Sequence, residues 1–202
     1  GRRVLVDCGL FQGDRELRER NWQDPPFAPH ELDAVIITHA HIDHTGYLPR
    51  VVKLGFKGPV FTSRATADLL KILLPDSGRL QEEEADYRNR HNLSSYTPAL
   101  PLYDERDARA ALDLLQTFPN DGELQDICEG FRAAFSVAGH IMGASQVLVE
   151  MGATRFLFSG DLGHYDQPIL NDPAPPPACD YLMCESTYGD RLHGDIDSET
   201  QM

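Results

Sequence analysis

What this sequence lacks narrows it first. No apolar run approaches the ~20 residues that a bilayer-spanning helix requires, which excludes such a span within it. Positive charge is scarce: Lys and Arg number 18 against 32 Asp and Glu, a formal net charge of -14. That balance speaks against a sequence-independent coat on nucleic acid, which needs a basic surface. The four cysteines, at 8, 128, 179 and 184, include no Cys-x-x-Cys pair, so neither a zinc ribbon nor a thioredoxin-type motif is present. Cys8 and Cys184 lie in apolar, strand-like runs and read as small buried hydrophobes of a reducing, cytoplasmic compartment. There is no internal repeat, and no low-complexity tract beyond the prolines of 173–177. There is no initiating Met. The chain enters the apolar run Val4-Leu5-Val6 almost at once and closes on Thr200-Gln201-Met202 without a stop signal, so it is expected to be cut at both ends.

What is there is a folded domain. At 202 residues, with 41% hydrophobic and 25% charged side chains, the chain can bury a sizeable core. Residues 1–75 carry 9 acidic and 10 basic side chains, whereas 76–202 carry 23 and 8, so the acidity belongs to the later two-thirds. Strands are expected at Val4–Asp7, Ala34–Thr38 and Val60–Phe61. A short helix is expected over Gly46–Leu54, and another from a cap at Thr62 or Ser63 to Pro75. Between the first strands, an Arg-rich stretch leads into a loop marked by Pro25, Pro26 and Pro29. Two charged helices follow at about 79–91 and 105–116, their negative charge read as a solvated face. The last third turns to period two at Phe131–Val137, then to the hairpin Val147–Val149 and Phe156–Phe158, and to a buried strand Tyr181–Cys184. Strand and helix in alternation point to an α/β layered domain.

The densest chemistry is Thr38-His39-Ala40-His41-Ile42-Asp43-His44-Thr45-Gly46, with three imidazoles and a carboxylate inside six residues after a strand. His and Asp are good zinc ligands. On a turn such side chains diverge, so His39 and His41 suit one ion, and Asp43 and His44 a neighbouring one. Two more strands end in Gly-flanked ligands, His140 in Ala138-Gly139-His140-Ile141-Met142-Gly143 and Asp161 in Ser159-Gly160-Asp161-Leu162-Gly163. Asp161 has two oxygens and suits a bridge. Taken alone, each of these two is more often a satisfied polar residue or a turn residue; beside the cluster, both gain weight as ligands. His30, His91 and His193 read as ordinary polar residues, and His164 as a residue of the site's rim.

These residues, with Asp7 after the first strand, resemble the metallo-β-lactamase superfamily of two-metal hydrolases. Asp7-Cys8-Gly9-Leu10-Phe11-Gln12-Gly13, the His140 segment and Glu185-Ser186-Thr187-Tyr188-Gly189-Asp190-Arg191 resemble its β-CASP branch, which processes RNA and DNA. The resemblance covers nearly the whole chain. It implies a metallo-β-lactamase-type αββα sandwich over 1–202, lacking its opening strands and the inserted β-CASP domain. It implies two zinc ions, one held by His39, His41 and His140, the other by Asp43, His44 and the bridging Asp161. Asp7 is then an acceptor that orients a ligand histidine. Asp43 and Glu185 are catalytic, Glu185 acting with a later histidine on the leaving group. A histidine completing the second site is expected beyond Met202, so this stretch alone is expected to be weakly active or inactive.

The implied reaction is RNA phosphodiester cleavage by a metal-bridged hydroxide, on single-stranded RNA. Both the endonucleolytic and the 5′-to-3′ exonucleolytic mode stay open, as does a homo-oligomer. Two alternatives share the fold: a glyoxalase-type thioester hydrolase, mildly favoured by the acidity but lacking a Glu185-type motif, and a non-catalytic scaffold, disfavoured because each ligand that can be checked is present.

Overall fold

The computed structural model describes residues 1–93 and 97–190. Arg191 of the Glu185 motif and His193 lie outside the described residues. Strands β1 (Val4–Val6), β2 (Ala34–Ile36), β3 (Val60–Ser63) and β4 (Leu115–Phe118) form a wholly parallel sheet in that order. Strands β5 (Gln125–Cys128), β6 (Phe131–Val137), β7 (Ser145–Met151), β8 (Thr154–Phe158) and β9 (Tyr181–Met183) form a second sheet. Its pairs are antiparallel except β8 with β9.

Period-two alternation sorts the side chains into layers. In β2, Val35 and Ile37 face the helices while Ala34 and Ile36 face the second sheet. The helical side is filled by α3 (Leu48–Lys53), α4 (Arg64–Arg90) and α5 (Glu105–Leu112), with Leu48, Val51, Leu70, Leu74, Tyr103 and Ala108 buried there. Between the sheets Ala34, Ile36 and Phe61 meet Ala133, Phe135, Val147 and Val149. The outer face of the second sheet carries a smaller cluster of Ala134, Leu148 and Leu157. The described residues thus build the helix layer and both sheets of the expected α/β sandwich. No helix among them is long and apolar enough to cross a membrane.

Several expectations are corrected. The helix expected to stop at Pro75 continues through it, fusing with the one expected near 79–91 into the 27-residue α4. Proline costs a helix interior about 3 kcal/mol, but Pro75 is buried with Leu70, Leu74 and Gly78, and this packing outweighs the local penalty. Ser63 caps α4 by accepting from the Thr66 amide at 3.3 Å. The helix expected over 105–116 ends at Leu112, and Leu115–Phe118 instead joins β3 as an edge strand. Strand β5 and the short helix α1 (Arg15–Glu19, capped by Asp14) carry no periodicity that announces them. The last strand, expected to be buried, is exposed: among the described residues β9 pairs only with β8, leaving Tyr181, Leu182 and Met183 open and Cys184 exposed. Cys8 is buried, and its thiol is raised well above the ordinary cysteine range by burial, then by Asp7.

α4 and α5 approach at Gly78, where a Cβ would lie 2.8 Å from the Asp104 carbonyl. Given room, Gly→Ala in a helix gains about 1 kcal/mol. Here Gly78→Ala is expected to lose about 1–3 kcal/mol through overpacking, read as a lower urea midpoint at unchanged m-value. A stabilised variant would contradict this packing.

Candidate metal centre

Strand direction gathers the polar residues. β1 and β2 run parallel, so their C-terminal ends deliver Asp7 and the Thr38–His44 segment to one edge of the first sheet. β6 and β8 are both antiparallel to β7, and β9 is parallel to β8, so His140, Asp161 and Glu185 follow strand ends at one edge of the second sheet. The edges are tied together: Ser145 N–H donates to the Thr38 carbonyl at 3.0 Å, and Ser63 Oγ donates to the Gly143 carbonyl at 2.6 Å.

The ligand segment is not simply a turn. His39 and Ala40 lie in irregular chain and His41 is extended, then Ile42–Thr45 forms the single helical turn α2, on which Asp43 and His44 ride. That change of conformation aims the two pairs differently. His39 is fully buried, with Nε2 at 3.1 Å from His41 Nδ1 and 3.6 Å from Asp161 Oδ2. His140 Nε2 lies 3.2 Å from His41 Nδ1 and 3.5 Å from Asp161 Oδ2. One ligand atom each from His39, His41, His140 and Asp161 thus falls within 4.8 Å of the others. The other Asp161 oxygen, Oδ1, lies 3.2 Å from His44 Nε2, which is 3.9 Å from Asp43 Oδ2. The two oxygens of Asp161 face different partners.

Behind the histidines sits Asp7. Its Oδ1 accepts from Thr38 N–H at 2.8 Å, and its Oδ2 accepts from Thr38 Oγ1 at 2.8 Å and lies 2.7 Å from His44 Nδ1. With the Thr38 hydroxyl proton committed to Asp7, the Thr38 oxygen accepts from His39 Nδ1 at 3.1 Å. Both imidazoles are held with Nδ1 protonated and the Nε2 lone pair turned to the centre, the form in which a histidine binds metal. Thr38 is the residue sequence reasoning passed over; its only signal was a hydroxyl immediately before the first histidine.

Electrostatics agree with metal-ready imidazoles. Burial, then the neighbouring His44, His41 and His140, pushes His39 down to about 2, so it stays neutral. Burial likewise lowers His140, against the opposing pull of Asp161. For His44, burial works downward but is outweighed by the Asp7 hydrogen bond and the charges of Asp7, Asp161 and Asp43, leaving it raised. Three convergent imidazole nitrogens and a carboxylate form a donor set suited to a divalent metal ion.

Glycines let the loops close on one another. A Cβ at Gly9 would lie 1.5 Å from the Asp43 carbonyl oxygen, and one at Gly163 would lie 1.8 Å from that of Gly139. Glu185 is half-buried beside the Asp161 loop, its N–H donating to Ser159 Oγ at 3.0 Å and its Oε1 accepting from Leu162 N–H at 2.5 Å. Asp43 is more open, with its side chain 55% exposed. His30 and His91 lie apart from the cluster, His91 ring-to-ring with Tyr87, and His164 is exposed.

The sequence profile of the metallo-beta-lactamase superfamily matches residues 1–197. The chain is 37% identical over 193 residues to Ribonuclease TTHA0252 of Thermus thermophilus, covering 96% of this chain and 40% of that protein. It is 31% identical over 195 residues to Cleavage and polyadenylation specificity factor 73 of Drosophila melanogaster, covering 96% and 26%. It is 30% identical over 198 residues to Endoribonuclease YSH1 of Yarrowia lipolytica, covering 96% and 22%. The chain therefore spans less than half the length of these relatives. With the profile matched along almost all of it and the His/Asp cluster assembled at the strand ends, the chain belongs to the metallo-β-lactamase superfamily.

Proposed function

We propose that this chain is the metal-bearing catalytic part of a zinc-dependent ribonuclease that cleaves phosphodiester bonds in single-stranded RNA. The observation that carries the reading is the convergence of His39, His41, His140 and Asp161 with the Glu185 carboxylate held on the Asp161 loop. Relatives named as ribonuclease and endoribonuclease support an RNA substrate.

His39, His41, His140 and Asp161 would hold one ion, and Asp43 and His44, beside Asp161, would contribute to a second. Such a pair, when bound, supplies a nucleophilic water at neutral pH and Lewis acidity toward the phosphoryl oxygens. The chain's own residues do the rest. Asp7 and Thr38 fix the tautomers of His39 and His44, so no reorganisation is required at the centre. Asp43, the most open carboxylate of the cluster, accepts a proton from the attacking water and orients it. Glu185 spends Oε1 on the Leu162 amide and keeps Oε2 for the proton that the leaving oxygen needs.

The intact protein containing this chain is expected to bind two zinc ions per chain by elemental analysis and to cleave a labelled single-stranded RNA. His140→Ala and chelation are each expected to reduce cleavage to background. Unchanged cleavage after either, or turnover of a thioester but not of RNA, would refute the reading.

Asp7→Asn keeps the acceptor for Thr38 N–H but places a donor against His44, reversing its tautomer. It is expected to weaken zinc affinity by about 10- to 100-fold in a chelator competition. The thermal melt is expected to stay cooperative. Unchanged zinc affinity would remove Asp7 from this role.

A further inference from the structure

One large groove takes no part in the chemistry above. It lies between the segment 10–23 and the second half of α4, with 97–102 along its side. Three aromatic rings open into it while staying about half exposed: Phe11 at 50%, Trp22 at 54% and Tyr87 at 47%. Exposed aromatic surface of this extent marks a binding surface more often than a fold requirement.

The charge of the groove departs from that of the chain. Its charged lining is Arg15, Arg18 and Arg88 against Glu19 and Glu84, a net positive wall in a chain of net charge -14. Glu19 and Glu84 are each paired within the wall, to Arg15 at 2.6 Å and Arg88 at 2.7 Å. Arg18 is exposed and makes no ion pair among the described residues. Arg20, on the same segment, sits 5.9 Å over the Phe11 ring.

The groove borders the segment that carries the His/Asp cluster, although none of the cluster residues lines it. Ile42, between His41 and Asp43, lines its inner end together with Leu10, whose N–H donates to the Ile42 carbonyl at 3.0 Å. A strand lying along the aromatic rings therefore passes beside that segment.

We infer that this groove is a stacking track for the single-stranded RNA that flanks the scissile bond. Bases stack on Phe11 and Trp22, with Tyr87, already ring-to-ring with His91, closing the far side, and phosphates meet Arg18 and its neighbours. Rings interleaved with guanidinium groups serve an unpaired strand, whose bases expose their faces; a duplex hides those faces, and an apolar peptide has no use for the cations. The inference rests on the ribonuclease reading for the kind of ligand, but it is a claim about binding, not about chemistry.

Trp22 is the chain's single tryptophan, which provides the test. The intact protein is titrated with a phosphorothioate oligouridylate of about 12 nucleotides. The emission of Trp22 is isolated by difference against Trp22→Phe. Quenching of that emission is expected, and Phe11→Ala with Trp22→Ala is expected to weaken binding by about tenfold or more. Arg18→Ala, at an exposed position where folding is safe, is expected to flatten the slope of log affinity against log salt by about 0.7. Trp22 emission and affinity that ignore RNA while RNA is still cleaved would overturn the groove and leave the ribonuclease reading standing. Quenching and weakened binding without any cleavage would support the groove and overturn the ribonuclease reading. A protein that neither binds nor cleaves RNA would overturn both.

Discussion

The carboxylate of Asp7 receives three polar contacts from two elements: the Thr38 amide, the Thr38 hydroxyl and His44 Nδ1. Few other groups in the fold carry so many dependents. The residue adopts a positive φ of 56°, a conformation that Asp tolerates better than most side chains and that is rarely kept without compensation. Here the compensation is explicit. The kink at the end of β1 turns the carboxylate across the end of β2, where it stitches two parallel strands beyond the last ladder bond. The same oxygens set the tautomers of His39 through Thr38 and of His44 directly. Fold and chemistry thus share one anion, and the acceptor cannot be exchanged for a neutral residue without disturbing both.

Close backbone approach follows from that stitch. The segment after Asp7 runs over α2, with Cys8 N–H donating to the His44 carbonyl and Leu10 N–H to that of Ile42. Gly9 lies between them against the Asp43 carbonyl, with no space for a side chain. Across the site Gly163 N–H donates to the Ala138 carbonyl, and the glycine lies against Gly139. Both contacts place one ligand loop on another. The metal centre is therefore built from segments distant in sequence whose main chains touch, which keeps convergent imidazoles at fixed separations without long side-chain reach.

The parts legible in the sequence are those with local signals. The β-branched run before the histidines, the period-two strand β6 and the hairpin into β8 are read correctly because alternation and turn chemistry are short-range facts. The convergence of His39, His41, His140 and Asp161 is legible for a similar reason: His and Asp in dense spacing after a strand stand out against an ordinary surface. What is not legible depends on tertiary partners. Pro75 looks like a stop because its cost is local, whereas the burial that offsets it comes from packing of Leu70, Leu74 and Gly78. Leu115–Phe118 looks like the tail of a helix until β3 offers it a ladder. Tyr181–Met183 reads as core because it is apolar, yet one of its edges is unpaired among the described residues. Thr38 and its relay to Asp7 carry no pattern at all; they exist only once β1 and β2 are side by side.

The acidity of the chain, taken alone, argues against a polyanionic partner, but a sum over residues hides how that charge is distributed. Much of the negative charge on α4 and α5 is locally neutralised by partners three or four residues away, as in Asp76–Arg79, Arg79–Glu83, Glu84–Arg88 and Glu105–Arg109. Such exposed pairs contribute little stability, but they flatten the field over the helix surface. Another share, Asp43, Asp161 and Glu185, surrounds a donor set made for divalent cations, whose charge the composition does not count. A polyanion approaching this protein meets neither quantity as a net charge. It meets the local wall, and in the groove beside the segment 10–23 the lining carries three guanidinium groups against two carboxylates, beside half-exposed aromatic rings. At a Debye length of about 8 Å in physiological salt, it is this local balance that a polyanion meets.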